Sequence, residues 1–172
     1  EYMSYFDLTD VTPIGTLEFV RAYCESFYLD MAAPLNIPPQ LRLPSFVKRQ
    51  IGTCSQTDVP VPTFVKSATK YKAFTDFVEN PRTIPNDTYF WSEIVDIQSE
   101  WRAFVWQKKL VGLQCYLGDF TLFPDVPLIK NMIQTYSNCP PAYTLDVGVN
   151  QTLGTFIIET HPLVSCGLYG FN

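Results

Sequence analysis

The stretch YTLDVGVNQTLGTFIIETHP, Tyr143 to Pro162, contains two apolar runs parted by Asn150, Gln151, Thr152, Leu153 and Gly154. Polar turn residues between runs rich in β-branched and aromatic side chains predict two strands joined as a hairpin. Each run carries one carboxylate, Asp146 in the first and Glu159 in the second, and an unpartnered acid inside a β core is costly. Side chains alternate along a strand. Leu145, Val147 and Val149 therefore share one face, and Asp146 falls on the other with Thr144 and Gly148. In the second run Phe156, Ile158 and Thr160 share one face, and Ile157, Glu159 and His161 the opposite one. Pairing about the turn brings Asp146 near Glu159 and His161. These three residues form a candidate divalent-metal site, and Mg2+ usually takes one or two carboxylates together with substrate phosphates. The same spacing also fits two solvent-exposed acids on an ordinary hairpin, and a lone histidine is more often structural than a ligand.

Working back from this hairpin, VPLIKNMIQTYS places Leu128, Ile129, Met132, Ile133 and Tyr136 on one helical face, with Asp125 as its candidate cap. VPTFVKS, YKAFTDFV, TYFWSEIVDI, EWRAFVWQ and LVGLQCYLG read as strands, the last two joined as a hairpin across Gln107, Lys108 and Lys109. The β texture starts at Val59. Before it, TPIGTLEFVRAYCESFYLDM reads as a helix capped by Thr12 with Pro13 at its first position. Pro34, Pro38, Pro39 and Pro44 then exclude a continuous helix or central strand and predict an extended connector. The expected organisation is residues 1–58 as an N-terminal helix and connector, and 59–172 as the working region. The order of elements gives an α+β class with a mainly antiparallel sheet.

The totals agree with one good-sized domain or two small lobes. The chain has 172 residues, 47% of them hydrophobic, which suffices for a packed core. Its 17 acidic residues outnumber 12 Lys and Arg, for a net charge of -5 with no basic block. Binding to a nucleic-acid backbone lacks its usual electrostatic footprint. Five scattered cysteines with no CxxC spacing exclude a complete disulfide set and a thiolate metal site, and suggest reduced thiols in the cytoplasm. No apolar run approaches the roughly 20 residues of a membrane helix, so no membrane partner is expected. Oligomeric state is not encoded in any pattern here.

Four motifs in order resemble the ATP-grasp superfamily. FVKSATKYKAFT is similar to its lysine strand and phosphate-covering loop. SEIVDIQSEWRAFV is similar to its adenine hinge, in which a glutamate opens the hinge and a second acid follows seven residues later, the spacing of Glu93 and Glu100. Asp146 with Glu159-x-His161 resembles its metal strands, an Asp on one and Glu-x-Asn on the next. SEWRAFV, GDFTLFPD, AYTLDVGV and SCGLYGF together are similar to the clade named for one arginine and two lysines. The resemblance runs from about Pro13 to Phe171. It departs from the family at His161, where Asn is usual, at Ser67, where proline is common, and at Thr144, where the amino-acid ligases carry an arginine that Arg102 would replace.

The resemblance implies an ATP-grasp fold, two lobes with mainly antiparallel sheets enclosing a nucleotide cleft, with residues 1–58 a remnant of a substrate domain. It implies ATP and Mg2+ as cofactors. Lys66 and Lys72 would meet the phosphates, with Lys70 in reserve; Glu93, Ile94 and Val95 would read adenine, and Glu100 would hold the ribose. Arg102 and Lys72 would act on the transferring phosphoryl group, and Asp146, Glu159 and His161 on the metal. Asp119 is a candidate ligand contact, whereas Cys166 lacks a general base other than His161 and reads as a packed thiol. The implied activity is ATP-dependent ligation of a small-molecule or peptide carboxylate to an amine through an acylphosphate. Two other readings are a nucleotide-binding module of the same fold without activity, and a structural β-rich interaction protein without nucleotide.

Overall fold

The computed structural model describes residues 16–27, 35–69, 74–163 and 166–171. The chain divides into two compact units, Glu1–Ala32 and Ala33–Asn172. In the first, helix α1 (Leu17–Ser26) is capped by Thr16, whose side chain accepts from the Phe19 N–H. The expected cap Thr12 and its neighbour Pro13 lie outside the described residues.

The second unit holds two four-stranded sheets, and every strand pairing in them is antiparallel. Its Pro-rich beginning forms one short 3-10 turn and the four-residue helix α2 (Pro44–Val47), as its prolines dictate. Strands β1 (Ile51–Ser55), β2 (Thr63–Ser67), β3 (Thr75–Val78) and β4 (Thr88–Ser92) make the first sheet in the order β1-β4-β2-β3. That sheet begins before Val59. β1 escapes a reading by composition because it is short and carries Gly52, a glycine required by packing: a Cβ there would lie 2.5 Å from the indole nitrogen of Trp91 on β4.

Strands β5 (Ser99–Trp106), β6 (Lys109–Gly118), β7 (Ala142–Asn150) and β8 (Gly154–Pro162) make the second sheet in the order β6-β5-β7-β8. The turn between β5 and β6 has Gln107 and Lys108 at φ 45° and 60°, the left-handed pair that matches the twist of a tight hairpin. The β7–β8 turn is held by Asn150, whose Oδ1 accepts from the N–H groups of Thr152 and Leu153, and closes at Gly154 with φ 68°. Helix α3 (Val126–Thr135) is capped by Asp125. Its Ile129, Met132 and Ile133 join Leu145, Val147 and Ala103 in the main core, so one face of the second sheet is sealed by a helix. β7 is buried on both faces, and its other face carries Thr144 and Asp146. Among the described residues no helix is long and apolar enough to cross a membrane.

Strict alternation fails at three places in the second sheet, and two of them matter for the cleft. Between the pairs Asp146–Glu159 and Val147–Ile157, β8 carries one extra residue, Ile158. Ile157 therefore belongs to the core instead of sharing the face of Glu159, while Ile158 lines the cleft beside Glu159. Between the pairs Glu100–Leu117 and Trp101–Cys115, β6 carries one extra residue, Tyr116. Such bulges re-aim side chains, and they are common next to functional sites. The expected strand through SEIVDI also stops at Ser92. Residues 93–98 form an irregular link between the two sheets, anchored where the Glu93 N–H donates to the carbonyl of Gln50.

Candidate functional site

A cavity of about 470 Å³ is lined by residues of both sheets and of the link between them. From the first sheet come Phe64 and Lys66 on β2, Phe77 on β3 and Phe90 on β4; from the link come Glu93, Ile94 and Val95. The second sheet contributes Glu100, Arg102, Tyr116, Asp146 and Glu159. Apolar rings and aliphatic side chains thus share the space with charges of both signs. A flat heteroaromatic base and a polyanion can be accommodated in one such cavity.

The charged cluster is built by register. Arg102 on β5 stands opposite Asp146 on β7, which stands opposite Glu159 on β8. The Arg102 guanidinium donates from Nε and Nη2 to the two oxygens of Asp146 at 2.8 and 2.7 Å. Burial alone would lower the pKa of Arg102, but the hydrogen bonds and charge of Asp146 outweigh it and raise that pKa further. Its remaining Nη1 donates to the Gly167 carbonyl at 3.1 Å. Glu159 receives Lys66 Nζ at 2.5 Å and His161 Nε2 at 3.1 Å, and His161 Nε2 lies 3.7 Å from Asp146. Burial would push Glu159 up; the hydrogen bond from His161 and the charge of Lys66 overcome that and hold its pKa at about 2.

The donor set suits a divalent cation. One ligand atom from each of Asp146, Glu159 and His161 lies within 4.8 Å of the others. Glu159 Oε2 accepts no hydrogen bond from the described residues, and each Asp146 oxygen has a further lone pair beyond Arg102.

Among the residues expected to handle a nucleotide, Lys66, Glu93, Ile94, Val95, Glu100 and Arg102 all line the cavity. Lys72 and Lys70 lie outside the described residues. The polar groups of Glu93 are already engaged: its N–H donates to Gln50 O, its Oε2 accepts from Gln50 N–H, and its carbonyl accepts from Ser92 Oγ. Asp119 is drawn into its own turn, accepting from the N–H and hydroxyl of Thr121, and does not line the cavity. Cys166 donates to the Leu163 carbonyl.

Two residues the sequence did not single out are central here. Arg49, just before β1, donates to Ser92 Oγ on β4 and to the carbonyl of Ile157 on β8, at 2.7 and 2.6 Å. It thus ties the first sheet to the bulged strand of the second. Burial lowers its pKa to about 10. The other is Tyr116, whose hydroxyl donates to Glu100 at 2.6 Å. An isolated arginine after a Pro-rich run has no periodic signature, and the bulge that turns Tyr116 inward has no local one.

Comparison with solved structures places this architecture. The chain is similar to the RimK domain ATP-grasp protein from Sphaerobacter thermophilus DSM 20745, with a TM-score of 0.53 and 17% identity over 74% of this chain and 56% of that one. It is similar to the D-alanine--D-alanine ligase from Bacillus anthracis complexed with ATP, with a TM-score of 0.53 and 10% identity over 84% and 63%. The L-amino acid ligase from Bacillus licheniformis aligns with a TM-score of 0.53 and 11% identity over 90% and 48%. At such identities the shared property is the fold, and the chain spans roughly half to two thirds of each of these proteins. No curated protein sequence matches it. The second family of ATP-grasp domains in the clade named for one arginine and two lysines matches residues 45–172, about three quarters of the chain, and the protein therefore belongs to that ATP-grasp family.

Proposed function

We propose that the cleft binds ATP and supports ATP-dependent joining of a small-molecule or peptide carboxylate to an amine. The carrying observation is the convergence of Lys66, Glu100, Arg102, Asp146 and Glu159 on one cavity that also holds the link Glu93–Val95. In this reading the backbone groups of Ile94 and Val95 read the base edge, Glu93 braces the link against Gln50, and Glu100 accepts from the ribose hydroxyls. Lys66 and Arg102, with Lys72, offset phosphate charge. A Mg2+ held by Asp146, Glu159 and His161 would neutralise and orient the phosphate oxygens.

The chemistry asks little acid or base of the protein. A carboxylate oxygen of the acceptor attacks the γ phosphorus, the bond from that phosphorus to the bridging oxygen breaks, and ADP leaves with its electron pair. The resulting acylphosphate is attacked at carbon by the amine, phosphate departs, and the amine proton passes to solvent. Positioning and electrostatics dominate such transfers, which suits a chain whose one histidine is His161.

A second reading, a nucleotide-binding module without turnover, is favoured by His161 at the position where the family has Asn. The two separate in one experiment. Melting of the protein with saturating ATP and Mg2+ should rise, a ligand at a hundred times its Kd adding about 2.7 kcal/mol. ADP release is then followed across a panel of amino acids and peptides. Binding without release for any acceptor favours the module, and no stabilisation at all sinks both.

A further inference from the structure

Tyr116 has no part in the reading above, yet its hydroxyl sits at the junction of the cleft's acids. It donates to Glu100 Oε2 at 2.6 Å and lies 3.4 Å from Asp146 Oδ2. The ring is held from several sides. It stacks on Tyr169 with centroids 5.0 Å apart and planes 17° from parallel, and the Arg102 guanidinium lies 5.4 Å from its centroid. An ordinary phenol keeps its proton at neutral pH, so the hydroxyl serves these acids as a donor. It has one proton to give, and the shorter contact shows where it goes. Glu100 Oε1, by contrast, accepts nothing from the described residues.

We infer that Tyr116 is a positioning residue for ribose: the β6 bulge turns its hydroxyl onto one oxygen of Glu100 and so presents the other to a vicinal diol. The inference rests on the nucleotide reading of the cleft and specifies how its sugar is selected. A carboxylate free to rotate would meet two hydroxyls in many orientations, and fixing one oxygen removes that ordering cost from binding. The rival role is packing alone, the ring filling space between Arg102 and Tyr169.

The Y116F variant separates them because it keeps the ring and removes the hydroxyl. Calorimetric titration of the full chain with ADP and with 2′,3′-dideoxyADP, each with Mg2+, gives the readout. Expected are a wild-type preference for ADP, a Kd for ADP raised about tenfold in Y116F, and a Kd for the dideoxy nucleotide left within about twofold. E100A should erase the same preference, and Y116F should add nothing in that background. Equal weakening of both nucleotides, no change for either, or a Y116F protein that does not fold would overturn the inference while leaving the nucleotide cleft standing. A wild-type protein that binds ADP without preferring it over the dideoxy form removes the ribose assignment of Glu100 and the inference with it. Wild type binding neither nucleotide overturns the nucleotide reading itself.

Discussion

Arg102 and Asp146 face each other across β5 and β7, and the guanidinium grips both carboxylate oxygens at 2.8 and 2.7 Å with each side chain almost fully buried. Little of either side chain reaches solvent. Removing one partner of a buried pair costs about 3–5 kcal/mol, because the survivor is left uncompensated. Denaturant unfolding of R102M and D146A should show losses of that size. The double variant R102M/D146L, apolar on both sides, should recover most of the loss. Single variants within about 1 kcal/mol of wild type would mean that the pair is open to solvent.

Glu159 predicts a pH dependence. Its pKa of about 2 in the folded chain lies below the ordinary 4.5, so the folded state binds its proton less readily than the unfolded one. The stabilisation is fully present above about pH 4.5 and is lost as pH falls toward 2. A shift of this size corresponds to about 3 kcal/mol. The free energy of unfolding should therefore fall by about that much more in wild type than in E159Q between pH 5 and pH 2. Parallel acid profiles for the two proteins would show that Lys66 and His161 do not hold the carboxylate.

How far the site can be read from the chain depends on what each residue answers to. Asp146, Glu159 and His161 are legible only in part: turn and alternation put one acid on each strand and set Glu159 beside His161, but a regular register from the turn would pair Asp146 with Ile158, and the bulge at Ile158 is what brings Glu159 opposite Asp146. Asp125 and the α3 stripe are legible outright, cap and period being local. Tyr116 and Ile158 are not, since a bulge is settled by the neighbouring strands and the packing beyond them. Arg49 is hidden one step deeper. Beyond the nearby Val47 carbonyl, its partners are backbone carbonyls at the Ile158 bulge and Ser92 on β4, and neither the bulge nor that pairing leaves a mark in the sequence near residue 49.

Gly118 ends β6 at φ 81°, and a Cβ there would lie 2.2 Å from the Gln98 carbonyl oxygen. Both backbone conformation and space exclude a side chain. The obstruction is backbone, which cannot step aside as a flexible side chain can. G118A should cost about 2 kcal/mol or more in denaturant unfolding. G154A is the control: its φ of 68° carries the same conformational penalty, but the nearest atom to its Cβ is Lys48 Nζ at 3.5 Å. It should cost about 1 kcal/mol. Equal losses would mean that the Gln98 contact contributes nothing.

Arg49 joins the two sheets through its side chain. Its guanidinium donates to Val47 O, Ser92 Oγ and Ile157 O, and reaches Ile158 O at 3.5 Å. The carbonyls at the bulge are where β8 departs from regular pairing, so the fork satisfies acceptors there while its Nε reaches β4. Lysine keeps the charge but has no planar fork to serve acceptors in several directions. R49K and R49M should therefore both lose about 2–3 kcal/mol. Hydrogen exchange locates the damage. Amides of Ile157 to Thr160 should lose protection in both variants, while those in the β5–β6 hairpin exchange as in wild type. If R49K retains wild-type stability and protection, charge alone suffices, and the fork is not what joins the bulged strand to the first sheet.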